Sequence, residues 1–209
     1  MMEMYQENWK RNLEDFINEV SLPSYHIESG GFRKNLLSVG IYGRHRKRVR
    51  DKVGKLVIYA DTSKSTYEFC STMISEVSEM ASNCNIEECD VYLFADNVYA
   101  EHQGLDIDDV SLIVPDNEGI PSTKKVSLND VYNHIIDNYV NGYILDDDIS
   151  AIIIMTDVDR LDNSEKNNRL DNYDNCHDKM LFLLYNQTGK NNLEIEKLLP
   201  KNDRLILVR

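Results

Sequence analysis

Residues 55 to 65 read Lys-Leu-Val-Ile-Tyr-Ala-Asp-Thr-Ser-Lys-Ser, an apolar run that stops abruptly at a carboxylate and two serines. Leu56, Val57, Ile58, Tyr59 and Ala60 have the unbroken apolar character of a parallel strand covered on both faces, and Asp61 ends it. Ser63 and Ser65 stand two apart in a tight strand-to-helix turn, a spacing that points both the same way while Thr62 and Lys64 point elsewhere. Ligands of open α/β sheets collect beyond the carboxyl ends of the strands. A second apolar run, Ala151 to Met155, ends the same way in Thr156 and Asp157, and two such ends side by side make one site.

The chemistry expected of that site is a hard divalent cation. Mg²⁺ takes near-octahedral oxygen coordination at about 2.0–2.1 Å and keeps several waters, so it asks for few direct protein ligands with carboxylates close by. The hydroxyls of Ser63 and Ser65 suit the first role, and Asp61 and Asp157 the second.

The order of elements extends the pattern. Phe69, Met73, Val77 and Met80 recur at helical spacing after the serines. The spacing predicts strand 55–61, helix 65–83, strand 89–95, a short strand near 97–101 or 110–114, helix 127–141, strands 150–156 and 180–185, helix 192–199 and strand 204–208. Alternation of this kind gives a layered α/β sheet. Only Asp96 and Asn97 separate strand 89–95 from a run at 97–101, so the two are expected to pair as an antiparallel edge. Pro200 stops helix 192–199.

With Asp61, Ser63 and Ser65 matching an Asp-x-Ser-x-Ser motif, residues 55 to 209 resemble the von Willebrand factor A fold and its metal-ion-dependent adhesion site. More narrowly the order is similar to the carboxyl-terminal domain of a group of bacterial metallopeptidase-related proteins and to the cobaltochelatase and MoxR-associated proteins. The resemblance implies a three-layer α/β fold, a mostly parallel central sheet with helices on both faces. It implies Ser63 and Ser65 as direct ligands of Mg²⁺ or Mn²⁺, Asp61 and Asp157 acting through water, and Ser127 or Thr123 completing the sphere. A vacant coordination position then accepts a carboxylate from a protein partner, with a MoxR-type AAA+ ring ATPase among the partners implied. Asp96 would support the site from a neighbouring strand.

The chain departs from that family at three places. Lys64 stands where Gly usually separates the serines, and Thr156-Asp157-Val158-Asp159 stands in place of Thr-Asp-Gly. The loop 118–130 lacks the Gly-rich stretch that ends in a metal-binding threonine. Ser127 has the position of that ligand and Thr123 its chemistry, while Ser127 equally fits a helix N-cap ahead of Leu128.

Ahead of the sheet, Trp9, Leu13, Phe16, Ile17 and Val20 recur near helical spacing, predicting an amphipathic helix over 3–20 whose apolar side packs on the domain or anchors another protein. Ser29-Gly30-Gly31 and the glycines at 40 and 43 mark the following segment as mostly loop. The expected division is therefore residues 1–54, a helix and a basic arm, and 55–209, the α/β domain. Net charge is −13, yet residues 33 to 55 hold nine basic residues against Asp51 alone, a local +8 that leaves −21 elsewhere. Such a stretch can grip phosphates of nucleic acid. Against that as the main function stand its single aromatic, Tyr42, and the acidity of the remainder, on which a basic arm can itself lie. An acidic protein partner suits it as well.

The chain's 209 residues suffice for one domain and a short extension. Met1 to Trp9 lack the charged start and apolar run of a signal peptide, and no apolar stretch approaches the ~18 residues of a membrane span. Cys70, Cys84, Cys89 and Cys176 form neither a Cys-x-x-Cys pair nor a dense framework, which points to reduced thiols in a cytoplasm, the host's if the chain is viral.

Several chemistries fail on spacing. Asp157-x-Asp159 opens like a calcium loop, but Leu161 and Asp162 occupy its fifth and sixth positions. Asp146-Asp147-Asp148 reads as a solvated turn, and Cys176-His177 has no second ligand pair. Neither His-Glu-x-x-His nor a phosphate-binding Gly-x-x-x-x-Gly-Lys loop occurs. Ser63 breaks the Asp-x-Asp of aspartyl phosphatases, and neutral serines disfavour a two-metal nuclease built on Asp61, Asp96, Asp157 and Asp159. The expectation is a non-catalytic, metal-dependent protein-binding domain. The alternatives are a metal-dependent phosphoesterase acting on nucleic acid, and a scaffold of this fold that has lost its ion.

Overall fold

The structure is a computed structural model that describes residues 2–20, 25–32, 44–50, 54–63, 66–95, 97–113, 128–141, 144–145, 148–157, 178–185 and 204–208. Contacts divide the chain into two compact units, one of residues Met1–Ser21 with Gly54–Arg209 and one of Leu22–Val53. The amino-terminal helix thus groups with the α/β body.

In the larger unit, α1 (Met2–Val20) buries Trp9, Leu13, Phe16 and Ile17, the i, i+4, i+7, i+8 stripe of an amphipathic helix. Then come β3 (Lys55–Asp61), α2 (Tyr67–Asn83), β4 (Glu88–Phe94), β5 (Val98–Asp106) and a 3₁₀ turn at Val110–Leu112. The chain continues through α3 (Leu128–Tyr139), the short pair β6 (Val140–Asn141) and β7 (Ile144–Leu145), β8 (Ile149–Asp157), β9 (Met180–Tyr185) and β10 (Arg204–Val208). Strands β1 (Tyr25–Phe32) and β2 (Arg44–Arg50) belong to the smaller unit. Expected helix 192–199 lies outside the described residues.

Six strands form one sheet in the order β10-β9-β8-β3-β4-β5, all parallel except β5, which returns antiparallel to β4. This is a mixed α/β fold. From β3 the chain first builds outward through β4 and β5, then returns to β3's other flank and builds outward through β8, β9 and β10. The order therefore reverses between β3 and β8. Every residue of β8 and the residues 56–61 of β3 are buried, as the unbroken apolar runs require. Val57, Tyr59, Tyr92, Phe94, Ile152, Ile154 and Phe182 share a core with Val131, Tyr132, Ile135 and Tyr139 of α3. Helix α2 packs on α1 and on β3. Among the described residues no helix is long and apolar enough to cross a membrane.

The amino-terminal edge of the sheet is fastened by charge. Asp90, 1% exposed, takes Lys55 Nζ at 2.6 Å, the Tyr139 hydroxyl at 2.7 Å and the Gly104 N–H at 2.8 Å. Gly104 has φ +64° where the β4–β5 register slips, a left-handed position open to glycine that turns its N–H toward the carboxylate. Tyr92 bonds the Tyr139 hydroxyl, and Tyr59 bonds His134 Nδ1 at 2.8 Å while stacking on Tyr92. Burial alone would lower Lys55, but Asp90 holds its ammonium above the usual value. Burial raises the hydroxyls of Tyr59 and Tyr139, and the negative charge of Asp90 adds to both.

The smaller unit is an antiparallel pair, β1 (Tyr25–Phe32) with β2 (Arg44–Arg50). A mostly irregular segment was the expectation, and the pairing corrects it. Gly30 and Gly31, which look like loop punctuation, coincide with a register shift between Ser29 and Phe32, so they mark a bulge inside a strand.

Two predictions follow from the packing. A Cβ on Gly54 would collide with the Asp148 carbonyl oxygen, so Gly54→Ala is expected to lower the unfolding free energy in urea by about 1–3 kcal/mol. Lys55, Tyr59 and Tyr139 all titrate higher folded than unfolded, so each contributes stability that is complete below its unfolded value, about 10. The urea midpoint is expected to fall as pH rises past about 10, and Asp90→Ala to lose about 3 kcal/mol at neutral pH while showing a weaker alkaline decline.

Candidate metal centre

Strands β3 and β8 end side by side at the reversal in strand order, with Ala60 opposite Met155. The next residues meet directly: Thr156 Oγ1 donates to Asp61 Oδ2 at 2.7 Å. Asp61 Oδ1 accepts the Ser63 N–H at 2.8 Å, the side-chain-to-backbone closure with which aspartate initiates a turn. Asp61 is 1% exposed and Asp157, beside Thr156, is 4% exposed. These groups stand where the strand order reverses, the place at which open α/β sheets gather ligands.

A web of hydroxyls fixes the turn. The Ser63 carbonyl accepts the backbone N–H groups of Thr66 and Tyr67 at 3.0 and 2.8 Å, which starts α2. Thr66, the N-cap residue, makes no side-chain cap bond to its own helix. Its hydroxyl instead lies 2.7 Å from the Asp61 carbonyl and 3.1 Å from both the carbonyl and the hydroxyl of Ser63. Thr62 faces the other way, as the spacing predicts, with its N–H on the Phe94 carbonyl and its hydroxyl 2.8 Å from that of Tyr99. The turn is held from β8 through Asp61, from β4 and β5 through Thr62, and from α2 through Thr66.

Of the residues expected at the site, Ser63 bonds Asp61 through its N–H, and Asp157 follows Thr156 in the chain as a buried residue of β8. Ser65, Thr123, Ser127 and Asp96 lie outside the described residues. Thr66 and Thr156 were not among the expected ligands, although both now stand in the site. Thr156 is legible as a strand terminus, whereas Thr66 turns its hydroxyl away from its own helix and has no local signal.

The donors fit a hard cation in kind. Asp61, Asp157, Ser63 and Thr156 offer oxygen alone, which suits Mg²⁺ or Mn²⁺ and not a thiolate- or imidazole-seeking metal. Among the described residues no group of three or more His, Cys, Asp and Glu is placed to hold a metal, so any ion here depends on hydroxyls. Behind Asp61 and Thr156, Phe69, Cys70 and Met155 line a cavity with room for about one water. Burial, with the Asp61 charge adding to it, pushes the Cys70 thiol up to about 12, which leaves it protonated and poor as a nucleophile.

No protein-family model matches the chain, and no curated protein matches it.

The Asp61–Thr156 bond is a charged hydrogen bond between two strands. Thr156→Val keeps the shape and removes the donor, and is expected to cost about 1.5–3 kcal/mol in metal-free urea unfolding, with Thr156→Ser recovering most of it.

Proposed function

We propose that the chain is a von Willebrand factor A-type domain, a three-layer α/β fold that captures a protein partner through a divalent metal ion and catalyses no reaction. The observation that carries this reading is the Asp61–Thr156 hydrogen bond, which joins the ends of two neighbouring parallel strands at the point where strand order reverses. In the reading, Ser63 and Ser65 are the direct ligands, Asp61 and Asp157 act through water, and Ser127 or Thr123 completes the set. When bound, Mg²⁺ or Mn²⁺ supplies a Lewis-acidic position that a carboxylate of the partner can fill.

The chain's own residues do the positioning. Thr156 fixes one oxygen of Asp61 and the Ser63 N–H the other, so the carboxylate keeps a single orientation. Ser63 Oγ, paired with Thr66, acts as oxygen acceptor toward a cation when its proton is directed to Thr66. A shell of neutral hydroxyls leaves the cation more of its charge for the incoming acid than a shell of carboxylates would. A MoxR-type ring ATPase in the cytoplasm is the partner this reading suggests, on fold-level analogy.

Calorimetric titration with MgCl₂ and MnCl₂ tests it. One site is expected in the parent chain, with affinity lowered at least about tenfold, about 1.4 kcal/mol, in Asp61→Ala and in Ser63→Ala. No binding heat from either metal would remove the reading. Metal-dependent cleavage of DNA or RNA by the parent would replace it with a phosphoesterase.

A further inference from the structure

The basic segment has no role in the metal reading, and its fold gives it a geometry that composition alone does not. Residues 22–53 hold eight basic and two acidic residues, a net +6, which leaves −19 for the rest of the −13 chain. They also form their own compact unit, whose regular part is the β1–β2 pair. Strand β2 reads Arg44-His-Arg-Lys-Arg-Val-Arg50, and it is continuous, because the register shift falls in β1. Successive residues of a strand alternate between faces, so Arg44, Arg46, Arg48 and Arg50 share one face of the ribbon. Register puts Tyr25 opposite Arg50, Ile27 opposite Arg48 and Ser29 opposite Arg46 on that face, while His26, Glu28, Lys47 and Val49 occupy the other. The acidic residue of the pair is thus kept off the arginine row.

From this alternation we propose that the β1–β2 ribbon is a binding site for double-stranded DNA, with Arg44, Arg46, Arg48 and Arg50 as its phosphate-contacting row. Two residues of strand advance about 6.8 Å, so the row is a regular charge lattice about 20 Å long. That length matches the rise of about six base pairs, at about 3.4 Å per phosphate on each strand. A two-stranded antiparallel ribbon, its strands about 4.8 Å apart, is one of the two elements that a DNA major groove about 12 Å wide admits. Arginine supplies a planar, permanently charged fork that pairs with phosphate through two hydrogen bonds. A-form RNA is a poorer match, because its major groove is deep and narrow. An acidic protein surface offers carboxylates without this lattice, and it becomes an outcome of the test.

The experiment is fluorescence anisotropy of the full chain with a labelled DNA duplex of about two helical turns, in EDTA, between about 50 and 200 mM NaCl. EDTA separates this proposal from the metal reading, since either can fail while the other stands. The expected result is binding whose logarithmic salt slope is about −3 to −4, as four phosphate contacts require. Arg46→Gln with Arg48→Gln should make the slope shallower by about 2, and Lys47→Gln, on the opposite face, should leave it within about 0.5 of the parent. Arg46→Lys with Arg48→Lys keeps the charge and should keep the parent slope. No binding at the lowest salt overturns the proposal, as does a Gln pair that behaves like Lys47→Gln or a Lys pair as weak as the Gln pair. Competition by polyglutamate as effective as competition by unlabelled duplex also overturns it, in favour of an acidic protein partner.

Discussion

Asp61 is a carboxylate taken almost wholly out of water at the end of a strand, and the local architecture follows from satisfying it. Burying such a group costs several kcal/mol unless it is hydrogen-bonded. The Ser63 N–H and the Thr156 hydroxyl take one oxygen each. The first bond forces the chain to turn within two residues and so sets where α2 begins. The second ties that turn to β8, a strand 95 residues away in sequence, and so brings the two polar strand ends together. A sheet whose strand order did not reverse here would set another strand beside Asp61, and Thr156 would be elsewhere.

The opposite edge of the sheet solves the same problem differently. Asp90 is as deeply buried as Asp61, but its described partners include the ammonium of Lys55 along with the Tyr139 hydroxyl and the Gly104 N–H. A fixed cation of the chain's own makes that edge a fastening that joins β3, β4, β5 and α3. At the Asp61 edge an N–H and a hydroxyl each take one oxygen and so orient the carboxylate.

What was legible in the sequence follows from the same physics. Strands β3, β8 and β9 are buried on both faces, so each is a continuous apolar run whose end is marked by the first polar residue. Asp61, Thr156 and Asp157 could be placed at strand ends for that reason, and the β4–β5 hairpin by the short gap between its runs. Strand β5 was read too short, because its residues from 101 to 104 are exposed and carry no apolar alternation to follow. The ribbon β1–β2 was missed because β2 has one apolar residue, Val49, and β1 carries its bulge glycines internally. Thr66 was missed for another reason. Its hydroxyl serves the Asp61 carbonyl across a turn instead of its own helix, and no local propensity encodes that choice. The Asp90 network joins residues up to 49 positions apart and has no sequence signature at all.

Charge segregation connects the two binding readings. A chain of net −13 should be repelled by any polyanion, and a site that binds one must work against the field of the other residues. Screening decides between the two at physiological salt, where the Debye length is about 8 Å. Repulsion from acidic residues farther away than this is largely removed, while arginines in contact with phosphate are screened far less and also release counterions. Concentrating the positive charge in four alternate positions of one strand is therefore more effective than spreading it, since contact interactions survive the salt that erases the average. In the two proposed readings the acidity of the larger unit would favour a divalent cation and the basic ribbon a polyanion, each sign of charge serving the ligand it attracts.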